Sequence, residues 1–157
     1  MQDLPNCNHM PDHQKPLSAT TKVLGYGGLI PFVCLSAAAI LKIDLNVVGI
    51  ESNAQALLNY AAVIVSFLGA VHWGVALSRD EPCVANFLYG VIPSLLAWVL
   101  LIIPVKPALF AMAVIVVFAY VVDRSLLFDL LRYQYAAMRL HLTVIVATCL
   151  ILAAAFV

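Results

Sequence analysis

One histidine lies in a stretch that carries no charged residue and is long enough to cross a bilayer. The stretch Asn59 to Ser78 reads NYAAVIVSFLGAVHWGVALS, and near its end it holds His72, followed at once by Trp73. An ionisable side chain is costly inside a membrane span, so it is a functional hypothesis by default. The alternative is a neutral imidazole that is hydrogen-bonded to a carbonyl or to a tyrosine hydroxyl.

Other polar residues are expected at the same depth on neighbouring spans. His72 lies about 9 Å from the nearer end of its own span, at about 1.5 Å per residue. Asp123 ends the fourth predicted span, and Arg139 lies near the start of the fifth. We predict a polar pocket that opens to the cytoplasm, formed by His72, Trp73, Asn86, Tyr89, Tyr120, Asp123 and Arg139.

Each of these residues also has a structural explanation. Asp123 could simply pair with Arg139 or Arg124 near the lipid headgroups. The aromatic side chains could belong to an interfacial belt. His72 and His141 at equal depth could hold a b-type haem, but nothing in the sequence makes them face each other.

The spacing of ligand-type residues favours neither a metal site nor a bound cofactor. The four cysteines fall at positions 7, 34, 83 and 149, with no pair at metal-binding spacing. A P-loop and a nucleophile next to a base are also missing from the sequence. We therefore predict no cofactor, no metal and no catalytic residue.

The composition excludes a water-soluble fold. Hydrophobic residues make up 64% of the 157 residues and charged residues 10%, against roughly 45–50% and 25% in soluble domains. The formal net charge is zero, with eight basic and eight acidic residues. Nothing in this balance indicates a nucleic-acid partner, and the expected partners are membrane lipid and another inner-membrane protein.

The apolar segments predict an all-α polytopic membrane protein with five helices in one bundle. Residues 1–21 form a polar tail, expected to be disordered, and residues 22–157 form the membrane domain. The predicted spans are Lys22 to Lys42, Asn53 to Ser78, Cys83 to Ile103, Pro107 to about Asp123, and about Ala136 to the C-terminus. Glycines and Pro31 near the start of the first span predict an irregular helix there, buried against protein.

Basic residues outside the spans predict the orientation. Six fall on one side and two on the other: Lys15, Lys22, Arg79, Arg124, Arg132 and Arg139 against Lys42 and Lys106. Because basic residues are enriched in cytoplasmic connections, the N-terminus is expected in the cytoplasm. We predict a multi-pass protein of the bacterial inner membrane.

Small residues recur every four positions along the second span. They are Ala62, Ser66, Ala70, Gly74 and Ser78. A ridge of small residues lets the backbone of another helix approach closely, so we predict that this ridge packs against another helix. Pro93, in the middle of the third span, is expected to bend that helix and to contribute to packing.

The second span contains Ser66-Phe67-Leu68-Gly69 followed by His72-Trp73-Gly74. This run is the most specific part of a resemblance, from about Gly25 to the C-terminus, to the small membrane proteins related to transmembrane protein 69, a domain-of-unknown-function family. The resemblance implies a membrane location and a helical fold, and it brings no established reaction. By resemblance, the positions that match the family pattern are His72, Trp73, Gly74, Pro93, Ser94, Trp98, Arg139 and Thr143.

Three functions are compatible with the sequence. The first is a non-enzymatic protein that binds a lipid or partner and helps an inner-membrane complex to assemble, favoured by the small-residue ridge and the lack of a catalytic set. The second is a carrier or channel for a small solute or a proton that uses His72 and Asp123. The third is a quinone- or haem-binding redox subunit, for which the aromatic residues near His72 are the indication.

Overall fold

The computed structural model describes residues 18–43, 45, 52–77, 84–126 and 133–157. The predicted polar tail therefore lies largely outside the described residues. The same holds for the predicted connections between the first and second, second and third, and fourth and fifth spans. Within those residues the chain is helical and contains no strand, which confirms the all-α class. The helices are α1 (Ala19–Gly27), α2 (Leu29–Leu41), α3 (Asn53–Leu77), α4 (Val84–Leu100), α5 (Val105–Leu126) and α6 (Tyr133–Phe156).

Four of the predicted spans have the length and hydropathy needed to cross a bilayer. In the described part of the chain these are Ala19–Leu41, Asn53–Leu77, Val105–Ser125 and Gln134–Phe156. Helix α4 has 17 residues, about 26 Å, which is less than the ~30 Å hydrocarbon core. The predicted third span thus ends early. Residues 101–103 form turns before Pro104, because proline disfavours helical geometry in the residue before it.

The first span divides into two helices at Gly28. Its carbonyl accepts a hydrogen bond of 3.0 Å from the Tyr60 hydroxyl of α3, and the Tyr60 ring packs edge-on against Phe32 at 4.9 Å between ring centres. A neighbouring helix thereby provides a partner for a backbone group at the break, as a membrane helix requires. The predicted irregularity is present. The expected burial of this end is wrong for α1, which has no buried residue.

Helix α3 lies at the centre of the bundle. Its buried side chains Leu57, Leu58 and Val65 belong to one apolar cluster that also includes Leu109 of α5 and Leu150 of α6. In lipid, helices associate through close packing and not through exclusion of water. The small residues Ala54, Ala61 and Ala62 of the same cluster let α3 pack closely against its neighbours.

Helices α3 and α4 approach each other closely at two glycines. A Cβ atom built on Gly69 would overlap the backbone carbonyl of Gly90, and one built on Gly90 would overlap the Trp73 indole. The indole N–H also donates a hydrogen bond of 2.9 Å to the Phe87 carbonyl of α4. The α3–α4 crossing therefore depends on two residues without side chains.

The predicted packing ridge of α3 does not contact another helix of the described chain at two of its positions. Ala70 and Gly74 are exposed, and a Cβ atom on Gly74 would contact nothing within 4 Å in the described structure. Ser66 is half-buried, and its hydroxyl bonds the Ala62 carbonyl of its own helix at 2.8 Å. Ser78 lies outside the described residues. The ridge fails as a packing face at Ala70 and Gly74 because α4 crosses on the neighbouring face that carries Gly69.

The helix directions alternate along the chain. The first span, made of α1 and α2, runs parallel to α6, because two contacts advance together along both: Tyr26 of α1 with His141, and Ser36 of α2 with Cys149. Helix α5 runs against α6, and at one end of this pair Lys106 donates a hydrogen bond of 3.2 Å to the carbonyl of residue 157. Residues 18 and 157 thus lie at opposite ends of the bundle.

We expect single cysteines introduced at Ser18 and Val157 to be labelled from opposite sides of the membrane. In a background with the native cysteines replaced by alanine, an impermeant maleimide applied to intact cells should label one position and reach the other only after permeabilisation. The orientation predicted from the basic residues makes position 157 the outer one. Labelling of both positions from one side would contradict the alternation of helix directions.

Candidate functional site

A buried histidine and a buried aspartate from different helices share a hydrogen bond. His72 of α3 has no exposed surface, and its Nε2 lies 2.8 Å from Oδ1 of Asp123 on α5. The two side chains reach each other because α3 and α5 are neighbours in the bundle and each is buried at this level. The pair is thus closed off within the protein, away from lipid.

Arg139 continues this interaction to α6. Its Nε donates to Oδ2 of Asp123 at 2.9 Å, and its Nη1 donates to the Thr143 hydroxyl one helical turn further along at 2.9 Å. Arg139 is 5% exposed and Thr143 is also buried. We call His72, Asp123, Arg139 and Thr143 the polar network; it joins three helices through their side chains.

The geometry of the polar network indicates its charges. Asp123 accepts a hydrogen bond at each oxygen and neutralises the guanidinium of Arg139. Since Oδ1 accepts, Nε2 of His72 is the donor. His72 Nδ1 is buried without a partner among the described residues.

Tyr89 covers the imidazole from α4. The ring centres of Tyr89 and His72 are 4.5 Å apart, and the rings meet nearly at right angles. The Tyr89 hydroxyl reaches the Ala119 carbonyl of α5 at 3.4 Å. Tyr89 therefore contributes an apolar ring to the network and directs its hydroxyl elsewhere.

The remaining predicted pocket residues do not join the polar network through the contacts described above. Trp73 is partly exposed and serves the α3–α4 crossing. Tyr120 is half-buried on α5, three residues before Asp123. The Asn86 side chain lies outside the described part of the chain. Pro93, which was predicted to contribute to helix packing and not to the pocket, is buried inside α4, which continues through it.

A cavity of about 520 Å³ lies beside the polar network, bounded mainly by α1, α2, α3 and α6. We call it the α1–α6 cavity. Its polar lining residues are Ser18, Thr20, Thr21, Tyr135, Arg139 and Thr143, and its apolar walls include Leu29, Phe32, Ile64, Val116, Leu142 and Val146. Its volume lies in the range of small-molecule sites, about 300–1,000 Å³.

Four of the six polar lining residues, Ser18, Thr20, Thr21 and Tyr135, lie at one end of this cavity, whereas Arg139 and Thr143 lie further in. Helices α1, α2 and α6 are parallel, so Ser18 and Tyr135 mark one end, and Phe32 and Val146 mark the other. The distance from Tyr135 to Val146 is about 16 Å along a helix, at about 1.5 Å per residue, roughly the depth of one leaflet. The cavity thus has one polar end and a length comparable to one leaflet.

Arg139 connects the cavity to the polar network. It is the one charged side chain among the described residues that line the cavity. Its Nη2 is buried and has no hydrogen-bond partner within the described structure. The described residues also contain no group of three or more His, Cys, Asp or Glu side chains that could hold a metal ion. The arrangement is suited to holding a hydrogen-bond acceptor in place.

Sequence reasoning alone did not place Thr143 in the site or find the cavity. Thr143 follows Arg139 by four residues, the spacing at which side chains on a helix meet, so this contact had a sequence signal. The cavity had none, because its walls come from separate helices and its lining residues are ordinary apolar residues.

These features define a polytopic helical membrane protein with a buried ion-pair network beside an amphipathic cavity. Residues 17–155 match the family described as protein of unknown function (DUF3429), and the chain belongs to this family. Transmembrane protein 69 of Xenopus tropicalis is 40% identical over 84 residues, which cover 50% of this chain and 31% of that protein. The chain thus matches about a third of the length of this relative, and no solved structure matches.

Proposed function

We propose that this protein is a non-enzymatic membrane protein that binds a bilayer lipid in the α1–α6 cavity. The observation that carries the proposal is the cavity itself, which has apolar walls, one polar end and one buried arginine further in. Ligand sites in proteins typically combine apolar walls with a few polar groups that fix orientation. A lipid already present in the bilayer is the ligand with matching chemistry.

The rim of the cavity supports access from the membrane. Leu24 of α1 and Phe67 of α3 line the cavity, yet they are 72% and 67% exposed on the surface of the chain. In a bilayer these side chains face lipid, so an acyl chain can pass between α1 and α3 without crossing water.

The physiological role that we propose is support for the assembly of a complex in an inner membrane. A bound lipid would fix α1 against the rest of the bundle and so present one defined surface to a partner protein. The bacterial inner membrane is part of this proposal, since the composition and the basic residues fit it; the named relative comes from a vertebrate. The same basic residues favour an N-terminus in the cytoplasm.

A proton or solute carrier is the second candidate, favoured by the buried hydrogen bond between His72 and Asp123. Reconstitution of the protein into liposomes that contain a pH-sensitive dye distinguishes a proton carrier from a lipid-binding protein. A lipid-binding protein leaves the internal pH unchanged under an imposed gradient, whereas a proton carrier dissipates the gradient.

We expect Leu142→Trp to reduce the lipid that remains bound after purification in mild detergent. Leu142 lines the cavity, so the larger indole would occupy the space of an acyl chain. The matched control is Leu140→Trp, which adds the same side chain two residues away on the exposed side of α6. Lipid per protein is measured by extraction and mass spectrometry.

The wild type and the control should retain stoichiometric lipid, and Leu142→Trp should lose most of it. After complete delipidation, both variants should have the thermal midpoint of the delipidated wild type, because added lipid would stabilise only the proteins that bind it. Equal lipid in all three proteins, or none in the wild type, would reject the cavity as a lipid site.

A further inference from the structure

We infer that α1 is a lid on the α1–α6 cavity, which bends away at Gly28 to admit a lipid and closes against α6 when the lipid is bound. This inference rests on the proposed function and adds how the ligand enters and leaves. One wall of the cavity is formed by four residues of α1: Thr20, Thr21, Leu24 and Gly25. A movement of this helix therefore changes the width of the cavity directly.

The two halves of the first span are anchored to different extents. Helix α2 buries Phe32, Ser36 and Ala38, whereas α1 buries no residue. The side chains of Val23 and Leu24 are 69% and 72% exposed, so they already contact lipid when α1 lies against the bundle. Because helices in lipid are held together by close packing, α1 can be displaced at little cost while α2 stays in place.

The backbone between α1 and α2 has the features of a hinge. Pro31 has no N–H group, so the Gly27 carbonyl lacks the donor that a regular helix provides four residues ahead. Gly27 and Gly28 have no side chain to restrict their backbone angles, and the helix is interrupted at Gly28. The Tyr60 hydroxyl of α3 holds the Gly28 carbonyl at 3.0 Å. Bending is thus confined to a point that is itself fixed to the bundle.

Two contacts close α1 against α6. A Cβ atom built on Gly25 would lie 3.2 Å from the Met138 sulfur, so the two helices meet where α1 has no side chain. The Tyr26 hydroxyl lies 3.4 Å from Nδ1 of His141, at an exposed position. This hydrogen bond is long for its type, and it can break and re-form. We call the pair of Tyr26 and His141 the latch.

The first test measures the position of α1 by distances between spin labels. Labels are attached through Val23→Cys on α1 and Val33→Cys on α2, each paired with Val114→Cys on α5; all three side chains are exposed. The full-length protein, with its native cysteines replaced by alanine, is measured in detergent without lipid and with the lipid extract of the expression host. Without lipid the distances from α1 should be broadly distributed and those from α2 narrowly; with lipid both distributions should be narrow.

The outcome for the lid is separate from the outcome for lipid binding, because retained lipid is measured independently by extraction and mass spectrometry. A narrow α1 distribution in the lipid-free protein would overturn the lid. A distribution that stays broad while lipid is retained would also overturn it. Both results leave the proposed function intact, whereas a wild type that retains no lipid rejects the proposed function however α1 moves.

The second test changes the hinge and the latch in opposite directions. Gly27→Ala combined with Gly28→Ala stiffens the hinge in its closed conformation, since both residues are right-handed there and neither added methyl group would overlap another atom. We expect bound lipid to exchange about fivefold more slowly in this variant. Tyr26→Phe removes the hydroxyl group of the latch and should speed the exchange about threefold.

Exchange is measured on protein purified from cells grown in deuterated medium, so that its retained lipid is heavy. The protein is mixed with an excess of unlabelled host lipid in detergent micelles and re-isolated over time for mass spectrometry. The control is Gly74→Ala, which makes the same change at an open helical position of α3 and should exchange at the wild-type rate. Equal rates in the wild type, the hinge variant and the latch variant, each with a wild-type circular dichroism spectrum, would overturn the lid.

Discussion

Asp123→Ala is expected to lower the free energy of unfolding by about 3–5 kcal/mol, as removal of one partner from a buried ion pair typically does. Asp123 is the residue that accepts hydrogen bonds from both His72 and Arg139. Without it the guanidinium keeps Thr143 as its remaining partner in the described network. The midpoint of thermal unfolding in a fixed detergent measures the loss, and Arg124→Ala, at an exposed neighbouring position, is the control.

The double variant Asp123→Leu with Arg139→Met distinguishes the contribution of the buried charges to stability from the contribution of side-chain packing. Both ionic groups are then replaced by apolar residues. A protein in which a buried ion pair is replaced in this way typically loses little stability or becomes more stable. We expect the double variant to be more stable than Asp123→Ala. If Asp123→Ala has the wild-type midpoint, the polar network does not hold the three helices together.

Gly69→Ala is expected to destabilise the bundle by at least about 1–3 kcal/mol, the typical cost of overpacking. The added methyl group would overlap the Gly90 carbonyl, and a backbone atom cannot move aside as a side chain can. Helices α3 and α4 would have to separate, and the hydrogen bond from Trp73 to the Phe87 carbonyl would be lost with them.

Gly74→Ala is the matched control on the same helix. Its Cβ atom would contact nothing within 4 Å in the described structure, and alanine is favoured over glycine in a helix by roughly 0.5–1 kcal/mol. We therefore expect Gly74→Ala to leave the thermal midpoint unchanged or to raise it. Equal destabilisation by both variants would show that Gly74 also meets another helix, in a second copy or in a partner protein.

These two expectations show where a periodic pattern is informative and where it is not. The four-residue spacing of small residues indicated correctly that α3 has faces without large side chains. It did not indicate which face α4 would meet. The crossing uses Gly69, next to the predicted ridge, because the Trp73 indole packs over Gly90 and directs α4 to that side.

The meeting of His72, Asp123 and Arg139 was predictable because buried ionisable groups in a membrane need partners and the topology places these three at one depth. The choice among partners was not predictable. The sequence left Asp123 open to Arg139 or Arg124, and His72 open to a carbonyl or a tyrosine. In the structure Asp123 pairs with both His72 and Arg139. The sequence could not show this, because the rotation of each helix about its own axis decides which side chains face each other.

The sequence by itself determined the all-α membrane class and the approximate positions of the spans, because runs of about 20 apolar residues can satisfy their backbone groups in lipid only as helices. Tertiary structure decided the rest: the α3–α4 crossing at Gly69, the inclusion of Thr143 in the polar network, and the cavity beside Arg139. A cavity is a space left between helices, and its volume depends on how far apart and at what angle they pack. Those distances are set by contacts between residues far apart in the chain, which no local pattern records.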